Sequence, residues 1–388
     1  TCVNRSQLSV TRKYIKLSKM KPNVVLVLLD GARWDRLYKS DYFTNIQKEG
    51  FLLDNITAAY PYTFAAVNSI FTGLFGKENG VDAYYKMFKL KESVDYLPEI
   101  LQKEGYFTSC DLISDKVISS RGFDIYQSHD EYNDDLFSRH PDLIQKSFNN
   151  SEKKPFFTFL QFSKIHTATV SERLKKYEWD DPVFYKNKEK NLETYDDAFI
   201  ESGKFAQKIM DTINKLGILN NTHVIFFTDH GTGNGDRFGE RNYGVFLYEE
   251  TLRTFYLFIG PELEKNKVAS KLFSATQIFP TLLEISKSNY TSEQRSILPY
   301  LMSGNSDFKE TEFTFSETGG LQGPFPSPES PNVFCIKNSK FKLIYYETPN
   351  NFELFDLEND PHEKENIFGR GLEIEEFLKD KLFEWKNR

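Results

Sequence analysis

Asn23-Val24-Val25-Leu26-Val27-Leu28-Leu29-Asp30-Gly31 is a short run of Val and Leu, entered from Pro22, that ends abruptly on an acid and a glycine. Apolar side chains at successive rather than alternate positions fit a strand covered on both faces, the usual condition inside a parallel sheet. Similar runs recur at Phe156-Phe157-Thr158-Phe159-Leu160, Val224-Ile225-Phe226-Phe227-Thr228 and Phe255-Tyr256-Leu257-Phe258-Ile259. Between them the spacing predicts helices over about 94–104, 193–216 and 275–287, the second stopped by Gly217. Strands alternating with helices imply right-handed βαβ units around a mostly parallel central sheet, an α/β fold.

From about residue 304 the pattern changes. Short strand candidates at Thr311 to Phe315, Asn332 to Ile336 and Phe341 to Tyr346 are separated by turn-rich loops, and a helix is expected over about 371–387. The expected organisation is therefore a basic N-terminal extension (1–21), a main α/β domain (22–303) and a small C-terminal antiparallel α+β subdomain (304–388).

A chain of 388 residues with a net charge of -7 argues against nucleic acid as a partner. It leaves a small anionic ligand open, because a metal ion or a local Arg/Lys group reverses the field inside one cleft. The three cysteines (Cys2, Cys110, Cys335) are widely spaced and read as free thiols of a reducing compartment. The segment Thr1 to Pro22 is basic and polar without an apolar core, so it is not a signal peptide. No later run reaches the roughly 18 apolar residues of a transmembrane segment. The expectation is a cytoplasmic location, or a targeting segment lying outside this sequence.

Three places carry chemistry. Asp30 follows the first strand, where doubly wound sheets present ligand-handling residues. Thr228-Asp229-His230-Gly231 follows another strand, and a carboxylate beside an imidazole suits a divalent cation, with Gly231 permitting close backbone approach. Tyr60-Pro61-Tyr62-Thr63 reads as a turn into a short helix, which places the Thr63 hydroxyl near the positive end of the helix dipole.

Taken in order, these pieces resemble the sulfatase/alkaline-phosphatase superfamily. The resemblance rests on Asp30; Thr63 nine residues before Thr72-Gly73; Thr228 to Gly231; Leu247-Tyr248-Glu249-Glu250-Thr251-Leu252-Arg253 running to Gly260-Pro261; and Pro280-Thr281-Leu282-Leu283. It ends on Glu353-Leu354-Phe355-Asp356-Leu357-Glu358-Asn359-Asp360-Pro361 with Glu363 and Asn366, so it spans about residues 22–366. It implies an alkaline-phosphatase-like sheet and one divalent metal ion (Mn, Zn, Mg or Ca) held by Asp30, Thr63, Asp229 and His230. His166, in the place of the family's H-x-P, is implied to bind substrate or protonate the leaving group. Asn68, Lys164, Arg237 and Arg241 are candidate substrate-binding residues.

The sequence departs from true sulfatases where their nucleophile is made. Those carry C/S-x-P-S-R, whose Cys or Ser is oxidised to formylglycine; here the positions are Thr63, Ala65, Ala66 and Val67. Threonine cannot become formylglycine, and Gly31 replaces the usual second Asp. Asp-Gly-x-Arg is similar to phosphodiesterase and phosphoglycerol-transferase branches that use an unmodified Thr. The expected function is thus a phosphoesterase or phosphotransferase acting on a small anionic ester through Thr63. A sulfatase and a non-catalytic binding protein of the same fold are the alternatives.

Overall fold

The computed structural model describes residues 20–83, 90–168, 178–305, 307–320 and 323–388. Almost all of the 1–21 extension lies outside the described residues.

The main sheet has nine strands: β1 (Asn23–Leu29), β2 (Phe51–Thr57), β3 (Phe107–Leu112), β4 (Ile125–Ser128), β5 (Phe156–Phe162), β6 (Thr222–Phe227), β7 (Arg253–Ile259), β8 (Lys267–Ala269) and β9 (Phe273–Ser274). Their order is β4-β3-β5-β1-β6-β7-β2-β8, with β9 also on β2. β1 lies at the centre, parallel to both β5 and β6. β7 alone runs against its neighbours, antiparallel to β6 and to β2. The sheet is mostly parallel, as expected, and every strand but β7 delivers its carboxyl end to one edge.

The composition of β1 follows from its position. Val24, Leu26 and Leu28 enter one core and Val25, Val27 and Leu29 the other, so no position faces water. On the first face lie α1 (Thr63–Thr72), α2 (Leu97–Lys103) and, later in the chain, the helix Ile278–Ile285. On the second lie α3 (Leu136–Asn150) and α4 (Lys188–Lys215), whose Phe199, Phe205, Ile209 and Ile213 are buried. Cys110 and Cys335 are buried free thiols.

The C-terminal part is a separate antiparallel sheet of β10 (Thr314–Thr318), β11 (Val333–Lys337), β12 (Phe341–Tyr346) and β13 (Asn351–Asp356). One face carries a final helix, Glu373–Lys386, through Leu378, Leu382 and Trp385. The other buries Val333, Cys335 and Ile344 against Phe246, Leu247 and Leu252 of the main domain. Between the two parts lies a buried charge network: Glu249 pairs with Lys337 at 2.7 Å and Lys342 at 3.2 Å, and Lys342 with Glu363 at 2.8 Å. No helix among the described residues is long and apolar enough to cross a membrane.

Candidate active site

Four sequence-selected residues converge at the carboxyl edge of the sheet. Asp30 continues β1, and its backbone N–H still reaches Phe162 O at 3.1 Å, so the carboxylate leaves the sheet from a fixed point. Gly31 then turns the chain at φ +73°, where a Cβ would stand 2.8 Å from Thr232 Oγ1. Its carbonyl accepts from Tyr195 Oη and Thr232 Oγ1, both at 2.7 Å. β6 leads through Thr228 into Asp229 and His230. Gly231 follows because its Cα faces Glu250 O, where a Cβ would come to 2.1 Å, and its N–H bonds Thr251 O at 2.8 Å.

Thr63 is the first residue of α1, with Tyr62 as the extended N-cap residue. Its hydroxyl lies 3.2 Å from Asp30 Oδ1 and 3.2 Å from His230 Nε2. His230 Nε2 is also 3.6 Å from a carboxylate oxygen of each of Asp30 and Asp229. His230 gives its Nδ1 proton to Gly231 O at 2.7 Å, which leaves Nε2 with the lone pair facing the acids.

Asp229 accepts from the His230 N–H at 3.0 Å through Oδ1, while its buried Oδ2 has no hydrogen-bond partner. Burial, and then the charge of Asp30, push the Asp229 carboxyl well above the usual carboxylate range. Two buried acids, an imidazole lone pair and a hydroxyl, with one carboxylate oxygen unmatched, are the donor set of a hard or borderline divalent cation. These residues fit the metal that the sequence leads one to expect.

Residues not singled out in the sequence complete the site. Gln161 donates to Asp30 Oδ2 at 2.6 Å and accepts from the Ile113 N–H at 3.1 Å. His166 pairs with Glu131 Oε2 at 3.5 Å through Nδ1 and with the Tyr243 hydroxyl through Nε2. The Tyr243 ring lies 4.6 Å from that of His230 and 5.1 Å from that of His166, and it packs on the cluster holding Tyr62, Ala65 and Ala66. Tyr243 therefore packs beside the start of α1, where Thr63 is only 4% exposed. Gln161 carried a signal as a polar residue, with Thr158, in the otherwise apolar β5; Tyr243 and Glu131 carried none.

The four expected substrate-binding residues are each held by protein partners, Lys164 beside the site through Glu131. Lys164 Nζ donates to the carbonyls of Glu131 and Tyr132. Asn68 Nδ2 donates to Phe64 O and Val117 O, inside the fold. Arg237 pairs with Glu250 at 2.8 Å, donates to the carbonyls of His362 and Glu363, and stacks on Tyr248. Arg241 reaches Asp181 and Glu178 over the Phe184 ring.

Comparison with known proteins agrees with this architecture. A family model described as Sulfatase matches residues 22–288, and one described as N-sulphoglucosamine sulphohydrolase, C-terminal, matches residues 239–388. Arylsulfatase K of Xenopus laevis is 23% identical over 179 residues, which cover 45% of this chain and 33% of that protein. The chain thus matches about a third of that relative's length. Among solved structures, a 2-O GAG sulfatase superposes with a TM-score of 0.74 at 16% identity, covering 95% of this chain and 91% of its own. The phosphonate monoester hydrolase of Agrobacterium radiobacter superposes with a TM-score of 0.71 at 16% identity, covering 95% and 96%.

Proposed function

Because this chain belongs to the sulfatase family, we propose that it is a divalent-cation-dependent esterase or transferase that attacks a phosphomonoester, phosphodiester or phosphonate with the unmodified hydroxyl of Thr63. The observation that carries this reading is the meeting of the Thr63 hydroxyl with Asp30 and His230, each at 3.2 Å, at the positive end of α1.

Asp30, Thr63, Asp229 and His230 would hold the cation, which when bound neutralises a phosphoryl oxygen and acidifies a hydroxyl. Thr63 Oγ1 forms the new bond to phosphorus, and its proton leaves toward the Asp30 carboxylate beside it, which as a cation ligand keeps a lone pair free where the His230 Nε2 does not. The P–O bond opposite breaks as the leaving oxygen takes a proton from His166, which Glu131 orients. The amides of the first turn of α1 face the equatorial oxygens. Water or an acceptor alcohol then cleaves the phosphothreonine ester. For substrate to enter, Tyr243 must first release His166.

A sulfate ester is the second reading, favoured by the name of the curated relative and by both family models. Thr63 counts against it, since it cannot supply the formylglycine hydrate by which sulfatases release sulfate.

The test is a metal-dependence screen of purified protein on p-nitrophenyl phosphate, bis-p-nitrophenyl phosphate, phenylphosphonate and p-nitrophenyl sulfate, with Thr63→Ala in parallel. Cation-dependent turnover of a phosphorus ester that Thr63→Ala abolishes is expected. Turnover of the sulfate alone, surviving Thr63→Ala, overturns the reading. No bound cation and no turnover of any ester identifies a binding protein.

A further inference from the structure

Behind the Thr63 cluster lies a second group of cation-competent side chains that this reading leaves unused. Asp111 is near the end of β3, His129 directly follows β4, and His140 lies in α3. All three are buried, and one ligand atom of each lies within 4.8 Å of the others. His129 Nδ1 is 3.0 Å from Asp111 Oδ1, and His140 Nε2 is 3.9 Å from Asp111 Oδ2.

His140 is the anomaly. It is fully buried, with its ring 5.4 Å from Phe205 and 5.6 Å from His129, yet neither of its nitrogens has a hydrogen-bond partner. An unmatched buried polar atom costs about 1–3 kcal/mol, and an apolar side chain would serve this packing without that cost. We propose that Asp111, His129 and His140 form a second divalent-cation site, of the borderline type that takes zinc.

Two imidazoles and one carboxylate are a zinc-like donor set. The two imidazoles approach different oxygens of Asp111, at 3.0 and 3.9 Å, values on either side of the roughly 3.3 Å between ligands of a tetrahedral ion at zinc's usual bond lengths. With Nδ1 on the ion, His129 is left with a proton on Nε2, which faces Ser163 Oγ at 3.2 Å, the outer hydrogen bond that fixes a ligating imidazole. Gln127 donates to Asp111 Oδ2 at 2.8 Å and holds the carboxylate in the same way. Arg139 also reaches that oxygen and opposes a cation; its side chain is 31% exposed and donates as well to Ser128 O at 2.7 Å, so solvent screens part of its charge. The site bears on the catalytic edge through the chain itself: His129 lies two residues before Glu131, the partner of His166. A cation here would pin the segment that orients His166.

The test removes the Thr63-side acids from the full chain with Asp30→Asn/Asp229→Asn and titrates it with Zn2+ and with Co2+. One tightly bound equivalent is expected, with the visible absorption of tetrahedral cobalt, and His140→Phe in the same background, which keeps an aromatic ring against Phe205, should abolish it. A folded Asp30→Asn/Asp229→Asn protein that binds no zinc overturns the proposal, as does an equivalent that persists in folded His140→Phe. Should the double variant not fold, His140→Phe alone is compared with the unaltered chain: loss of one equivalent supports the site, and unchanged stoichiometry removes it.

Discussion

The Thr63 hydroxyl lies 3.2 Å from Nε2 of His230, and His230 is held to that approach by its own hydrogen bond to Gly231 O. Thr63→Ala should lower kcat on the order of 10^3-fold or more while leaving the urea midpoint nearly unchanged. Thr63→Ser keeps the oxygen and should retain measurable turnover. Steady-state kinetics on the best ester from the screen decides this, and unchanged turnover in Thr63→Ala would place the nucleophile elsewhere.

Asp229 brings an unmatched buried oxygen to the same cluster. A cation that binds there stabilises the folded chain, by about 2.7 kcal/mol at a hundred times its dissociation constant. Thermal melts with Mn2+ or Zn2+ should show a rise in Tm in the unaltered protein and a much smaller one in Asp229→Asn. Because the carboxyl holds its proton unusually tightly, protons compete with the cation, and its affinity should fall as pH falls.

Tyr243 packs beside the Thr63 cluster through ring contacts to His166 and His230 and a hydroxyl bond to His166. Tyr243→Ala should speed amide hydrogen exchange across 63–67 relative to the unaltered chain. Tyr243→Phe keeps the ring, so exchange there should stay slow while the pH profile of kcat moves. Identical exchange in all three proteins would mean that another segment closes the site.

Glu240 anchors the same loop, accepting from the N–H groups of Val245 and Phe246 at 2.9 and 2.8 Å. Burial pushes its pKa up from 4.5 to about 8, against those hydrogen bonds. Between these values the folded chain holds a proton that the unfolded chain lacks. This contribution to stability is therefore complete below the lower value and is lost as pH rises through about 8. The slope can reach about 1.4 kcal/mol per pH unit. Glu240→Gln mimics the protonated acid, so urea melts on both sides of the window should show a weaker pH dependence in that variant. An equal slope in both proteins would assign the effect to other groups.

The charge network at Glu249 should behave as a buried ion cluster does. Glu249→Ala leaves Lys337 and Lys342 without their shared partner and should cost about 3–5 kcal/mol by urea denaturation. A loss below 1 kcal/mol, on the order of a surface pair, would show that water reaches the lysines.

Much of this was legible in the sequence, for physical reasons. β1 was readable to its last residue because both its faces are buried, and the helix over Lys188–Lys215 because one face carries the apolar stripe. β2 was not, because Asp54-Asn55 interrupt its pattern where the register shifts between Leu53 and Ile56. β3 hid its burial behind Thr108, Ser109 and Asp111, which satisfy one another's neighbours: Ser109 bonds Ser147 and Thr158, and Asp111 bonds His129. The direction of β7 was also silent, since an apolar run reads alike in either sense. Asp30, Thr63, Asp229 and His230 stood out because each lies at an element's end, where backbone geometry aims the side chain. Tyr243, Glu131 and Gln161 gain their positions from tertiary convergence. The partners of Arg237, Arg241 and Lys164 were not legible, because formal charge says nothing about which carboxylate or carbonyl a long side chain will meet.

The reversal of β7 has a consequence for how such a molecule can diversify. β6 and β7 are adjacent and antiparallel, so the chain leaves and re-enters the sheet about 4.8 Å apart. Thr228 N–H to Phe255 O and Gly231 N–H to Thr251 O close the neck of the excursion. The part beyond that neck that precedes Phe246, Leu247 and Glu249, which are fixed against the C-terminal sheet, is a cassette holding Tyr243 and Glu240: its length and composition can change without shifting strand register, and Asp229 and His230 stay at its threshold.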